Sequence, residues 1–188
     1  NVGPKVAPGK YNIKMTYNDQ IQQKEFEIVK DPRVKISQAD YEDQLEFLIN
    51  VRDEVSRANQ KIIDIRNIKN NMNFISEKTR DNIELQEMIN NYLTDVSEIE
   101  NNIHMTKNQS RQDPLNYGIR INNRIAFLLA DSQRGDYPPT DQSKEFFIQV
   151  KGELDSEIMK LDALIDKHSQ KIENYIEENK IELISLNN

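Results

Sequence analysis

The feature that most constrains this chain is a change of hydrophobic period at Ser37. Before it, Tyr11, Ile13, Met15 and Tyr17 alternate with Asn12, Lys14 and Thr16, the period of two of a half-buried strand. After it, apolar residues recur at spacings of three and four for most of the 188 residues, which places them on one stripe of successive helices. Only three of the five glycines, Gly118, Gly135 and Gly152, lie beyond residue 36. The pattern therefore predicts a short β element followed by long helices.

In the first part, Ala7-Pro8-Gly9 signals a turn and Asn18-Asp19 a second one. Residues 23–29 carry Phe26 and Ile28 on one face before Asp31-Pro32; proline has no N–H to give to a ladder, so the second strand stops there. The result is a β-hairpin over residues 1–33. An isolated hairpin is marginal in water, so this one is expected to pack on the helices or to belong to a larger sheet.

The rest, 34–188, reads as a helical domain. Ser37-Gln38-Ala39-Asp40 resembles a capping arrangement. A first helix runs to about residue 71 with Val51, Val55, Ala58, Ile62, Ile65 and Met72 as its seam. A second covers about 77–106 through Leu85, Ile89, Tyr92, Val96, Ile99 and Ile103. A shorter third spans about 117–132 with Ile121, Ile125 and Leu128, and a fourth about 140–179 with Phe147, Val150, Leu154, Leu161, Ile165, His168, Ile172 and Tyr175. The segment 181–186 reads as a helix end or an added strand. Helices of this length are stable only when packed lengthwise, and short connections favour antiparallel neighbours. The fold expected is mainly α: an antiparallel up-and-down bundle of three long helices and one short one, with the N-terminal hairpin; a heptad coiled coil is the alternative.

Composition excludes several functions. The net charge is −7, and it is uneven: residues 1–36 hold seven Lys/Arg against four Asp/Glu (+3), the remainder 18 against 28 (−10). Nucleic acid would require a concentrated basic face. There is no cysteine, hence no disulfide, thiolate ligand or cysteine nucleophile. No apolar run approaches the ~20 residues of a membrane-spanning helix. The start at Asn1 without a leader reads as a piece of a longer polypeptide.

The densest polar and aromatic block is 112–123. Its candidate site residues are Gln112, Asp113, Asn116, Tyr117, Asn122 and Asn123; amides beside an aromatic ring are of the kind that line carbohydrate or peptide grooves. Asp113-Pro114 also fits the N-cap and first residue of a helical turn, a purely structural role. On the first helix Arg52, Asn59 and Arg66 recur every seven residues. They either reach that block in a hydrogen-bonded network or form a solvated face. His104 and His168 lack the spacing of a zinc pair, and Asp155, Glu157, Asp162 and Asp166 read as a wet helix face. No catalytic residue, metal or cofactor is expected. Asn108-Gln109-Ser110 fits a glycosylation sequon.

Several blocks taken in order, Ala7-Pro8-Gly9-x-Tyr11, Asp31-Pro32-Arg33, Thr106 to Ser110, Gln112 to Tyr117, Asn122-Asn123 and Gly135-Asp136-Tyr137-x-Pro139-Thr140, resemble the C-terminal segment of bacterial sortilin-like repeat proteins. Those proteins are often labelled glycosyl hydrolases for their sialidase-type β-propellers. The resemblance implies a secreted or cell-surface protein with a propeller and a small β-sandwich upstream, the hairpin being the end of that sandwich. It carries no catalytic residue onto this segment. Where the family pattern leads one to expect proline, this chain has Gly118, which implies a looser turn. The function expected is a non-catalytic structural or interaction module whose partners are the propeller and another protein or a glycan; the alternative is a carbohydrate-binding accessory module.

Overall fold

A computed structural model describes residues 3–183. The chain is mainly helical, with an N-terminal antiparallel hairpin followed by long helices in bundle-like contact. Strands β1 (Gly9–Tyr17) and β2 (Gln20–Ile28) precede α1 (Gln38–Lys78), α2 (Ile83–Ile103), the single turn α3 (Pro114–Tyr117), α4 (Ile121–Ser132) and α5 (Asp141–Glu178). Two compact units are present: 1–54 with 126–148, and 55–125 with 149–188. The hairpin thus shares a unit with the start of α1 and the 126–148 stretch.

In the first unit, the hairpin turns at Asn18 (φ 44°) and Asp19 (φ 62°). Two successive left-handed residues make the turn whose twist matches that of paired strands, and Asn and Asp tolerate that conformation best after glycine. The register pairs Tyr11 with Phe26, Ile13 with Lys24, Met15 with Gln22 and Tyr17 with Gln20. Only the base is fastened down. Ala7 is buried, its carbonyl accepts from the Tyr11 hydroxyl at 2.6 Å, Gln38 Nε2 donates to the Pro8 carbonyl at 3.0 Å, and Lys5 pairs with Asp136.

The expected cap of α1 forms: Asp40 Oδ2 accepts from the Ser37 amide at 2.9 Å and its hydroxyl at 2.7 Å, while Ser37 Oγ accepts from the Asp40 amide at 3.2 Å. The two residues thereby satisfy each other's amides, as in a capping box. Leu48 and Val51 are fully buried beside Phe47, whose ring meets Phe147 edge-on at 5.6 Å. Gln44 is a polar residue within this core, 2% exposed. Its Nε2 donates to the carbonyls of Ser132 (2.7 Å) and Gly135 (2.8 Å), fixing the turn after α4.

In the second unit, all six seam residues expected on α2 are buried, as are Ala58, Ile62 and Ile65 of α1, Ile121 and Ile125 of α4, and Val150, Leu154, Leu161 and Ile172 of α5. Boundaries differ from the sequence reading. α1 continues past residue 71 to Lys78, because the asparagines at 70, 71 and 73 lie on its exposed side and their weak helix propensity is outweighed by the packed face. α2 starts only after Asn82, whose Oδ1 caps the Leu85 amide at 3.0 Å. Gln86 braces the intervening turn by donating to the Ser76 and Thr79 carbonyls, both at 3.0 Å. α4 begins at Ile121 rather than 117 because Gly118, at φ 74°, ends α3. Proline, fixed near −65°, cannot take that conformation, so glycine here serves a defined turn. The stretch 181–183 is neither helix nor strand; the remainder of the 181–186 segment lies outside the described residues.

Candidate functional site

The 104–124 connection is built from its acid outward. Asp113 accepts from the amides of Gln109 (2.5 Å) and Ser110 (2.8 Å) and from the Ser110 hydroxyl (2.6 Å). These bonds, the Ser110 hydroxyl first, hold its carboxyl below the usual aspartate range. Asp113 stands at the position before Pro114, but its side chain closes the preceding turn and makes no cap bond to α3. Asn122 Nδ2 lies 3.2 Å from His104 Nδ1, tying the start of α4 to the end of α2, and Asn122 Oδ1 is buried without a partner among the described residues. Gln112, Asn116 and Asn123 are exposed, and Tyr117 is 46% exposed. Leu115 and Ile119 beside them are 87% and 57% exposed.

Two of the three stripe residues on α1, Arg52 and Arg66, have carboxylate partners. Arg52 pairs with its neighbour Asp53 at 2.7 Å, and Asn59 is exposed. Arg66 Nε donates to Glu100 Oε1 at 3.0 Å, a carboxylate that also accepts from Lys69 Nζ at 2.6 Å. Glu100 is almost fully buried. Its place on the apolar side of α2 was not apparent from the periodicity, although an acid one position after Ile99 within reach of two cations on another helix is the signal in retrospect.

On α5, Asp162 and Asp166 lie on the expected wet face, whereas Asp155 and Glu157 are engaged in hydrogen bonds. Asp155 pairs with Arg57 and with Lys151 (2.9 Å), and buried Glu157 accepts from Asn102 (3.1 Å) and Lys160 (2.6 Å). His168 stacks flat on Tyr92 with ring centres 5.0 Å apart, its Nε2 3.3 Å from Asp95. Among the described residues no cluster of three or more metal-ligating side chains occurs. No described helix is long and apolar enough to cross a membrane.

Two of the open surfaces among the described residues bear on function. The first is the hairpin blade, where Tyr11, Ile13, Met15 and Tyr17 share one face with Phe26 and Ile28. Ile13, Met15, Tyr17 and Phe26 are 58%, 57%, 70% and 40% exposed. Among the described residues β1 and β2 form a two-stranded sheet, so each has an unpaired edge. The second is a groove of about 620 Å³ bounded by Asn102, residues 119–121, Arg124 and the 149–157 turns of α5.

No protein-family model matches the chain, and no curated protein and no solved structure matches it.

Proposed function

We propose that this chain is a non-catalytic interaction module that docks, through its hairpin, onto a β-rich neighbour within a larger secreted propeller protein. The observation that supports this reading is the apolar ladder of Ile13, Met15, Tyr17 and Phe26 left in water on an otherwise well-paired hairpin. An exposed apolar face with two open edges is a template for strand addition and for sheet packing. A neighbouring sheet is the occupant that satisfies both features together, since it supplies backbone partners to the edge and side chains to the face. The resemblance of several blocks to sortilin-like repeat proteins supports a propeller with its small sandwich as that neighbour.

Two measurements test the reading. An immunoblot of fractionated source cells should show the epitope in a polypeptide several times larger than 22 kDa, outside the cytoplasm. In that polypeptide the amides of residues 9–28 should exchange with deuterium more slowly than in this chain alone. A band at the size of this chain, or equal exchange, refutes it.

A second reading, a carbohydrate-binding accessory module, draws on the half-exposed ring of Tyr117 beside exposed Asn116 and Asn123. Aromatic faces flanked by amides suit sugar rings. Glycan binding that is lost in Tyr117→Ala with an unchanged melting curve would favour it, and an unaltered glycan profile would remove it.

A further inference from the structure

The groove between the end of α2, the start of α4 and the middle of α5 lies wholly within the second unit and is independent of the hairpin. At about 620 Å³ it falls within the range of small-molecule sites. Four charged residues line it: Arg120, Arg124, Glu153 and Glu157. Three of them have protein partners. Glu153 accepts from both ends of the Arg124 guanidinium, one bond at 3.0 Å, and from Gln149 at 3.2 Å. Arg124 accordingly holds the Glu153 carboxyl below its ordinary range. Glu157 is held by Asn102 and Lys160.

Arg120 differs. It makes no side-chain hydrogen bond or ion pair among the described residues, and its Nε is shut away from solvent with no acceptor. The residue as a whole is part-exposed and lines the groove. A guanidinium anchored at a buried Nε, with no protein partner among the described residues, suits an oxyanion, because less side-chain freedom is lost on binding. The same groove presents the exposed Ser156 and the apolar side chain of Ile119.

Gly152 gives an independent indication. It sits in the interior of α5, where glycine is unfavourable relative to alanine, yet a Cβ there would meet nothing within 4 Å. No close approach inside the fold requires it. What it provides is open space on the α5 wall of the groove.

We propose that this groove binds a small molecule carrying a single oxyanion, a carboxylate or a phosphate, with Arg120 as the charged anchor, the Ser156 hydroxyl as a second polar contact and the body of the ligand over Gly152 and Ile119.

The test is an amide NMR titration of the whole chain at constant low ionic strength with galacturonate, inorganic phosphate and neutral glucose. Saturable shifts centred on Arg120, Gly152 and Ser156 are expected with an oxyanion and absent with glucose. Response to galacturonate alone identifies a carboxylate ligand, and response to phosphate alone a phosphate-bearing one. Arg120→Gln should weaken binding about tenfold, the loss of one charge-assisted contact. Gly152→Leu should abolish binding by filling the space, with a melting temperature equal to or above that of the parent because leucine is the better helix former. Arg111→Gln, outside the groove, should leave the affinity unchanged. Absence of saturable shifts up to about 10 mM, a regime in which even millimolar affinity is visible, overturns the proposal. So does binding that survives both groove substitutions, or equal binding of glucose.

Discussion

The ammonium of Lys69 lies 2.6 Å from Glu100 Oε2, a carboxylate 4% exposed to solvent. Burial alone would push this carboxyl up; Lys69 and then Arg66 outweigh it and hold it below the ordinary glutamate value. A depressed carboxylate contributes stability that is present above its unfolded value, about pH 4.3, and is lost as pH falls through the lower folded value. Lys69→Met should therefore cost about 1–3 kcal/mol at pH 7, since it leaves a buried charge with one partner fewer. The difference from the parent should shrink in acid melts. A pH-independent difference would show that the ion pair is not the cause.

Tyr92 is fully buried, stacked on His168, with its hydroxyl 3.4 Å from Ser169 Oγ. Tyr92→Ala should destabilise by about 3–5 kcal/mol, whereas Tyr92→Phe, which keeps the ring, should cost about 1 kcal/mol or less. Burial raises the phenol above its ordinary value. Its contribution is complete below the unfolded pKa of about 10 and is lost as pH rises through the higher folded value. Burial and the Asp136 carboxylate raise the Tyr41 phenol as well, so alkaline titration by ultraviolet absorbance should show one late-ionising tyrosine fewer in Tyr92→Phe than in the parent; identical titrations would contradict this.

Gln44 holds two backbone carbonyls at once. Gln44→Leu conserves bulk but leaves both acceptors without their donor in a buried place, and should lower stability by about 1–3 kcal/mol. Denaturant unfolding checks the value. A variant as stable as the parent would mean that water replaces the amide.

The hairpin blade and its base should respond differently to substitution. Ile13→Thr combined with Tyr17→Thr changes exposed strand positions to another good strand former and should alter stability by less than about 0.5 kcal/mol. Ala7→Asp, which buries a charge at the base, should cost about 2 kcal/mol or more. Thermal melts of the two variants decide the matter: equal losses would show that the blade is part of the core after all.

The local alternation and helical spacing were enough to place the hairpin and the four longer helices. Tyr11 to Tyr17 read as a strand because side chains in a strand alternate faces, and Leu85 to Ile103 read as a helix because every seam residue falls on one stripe. Ser37 with Asp40 was legible as a cap because the bonds span three residues. The single turn α3 was legible only as Asp113-Pro114. The start of α4 lies at Ile121 rather than about 117 because the left-handed backbone at Gly118 ends α3, a local turn that helical spacing does not register.

The order and kind of elements and most of the apolar core follow from periods of two and 3.6 within one segment, and so are written in the residues themselves. Only the tertiary structure decided the fate of the polar residues on those same faces. Gln44 reaches Ser132 across 88 positions, Glu157 reaches Asn102 across 55, and Glu100 reaches Arg66 across 34. Arg120, with the same side chain as Arg66, has a buried Nε without an acceptor among the described residues. A buried polar group is tolerated or not according to which groups face it from another element, and that pairing leaves no trace in local period.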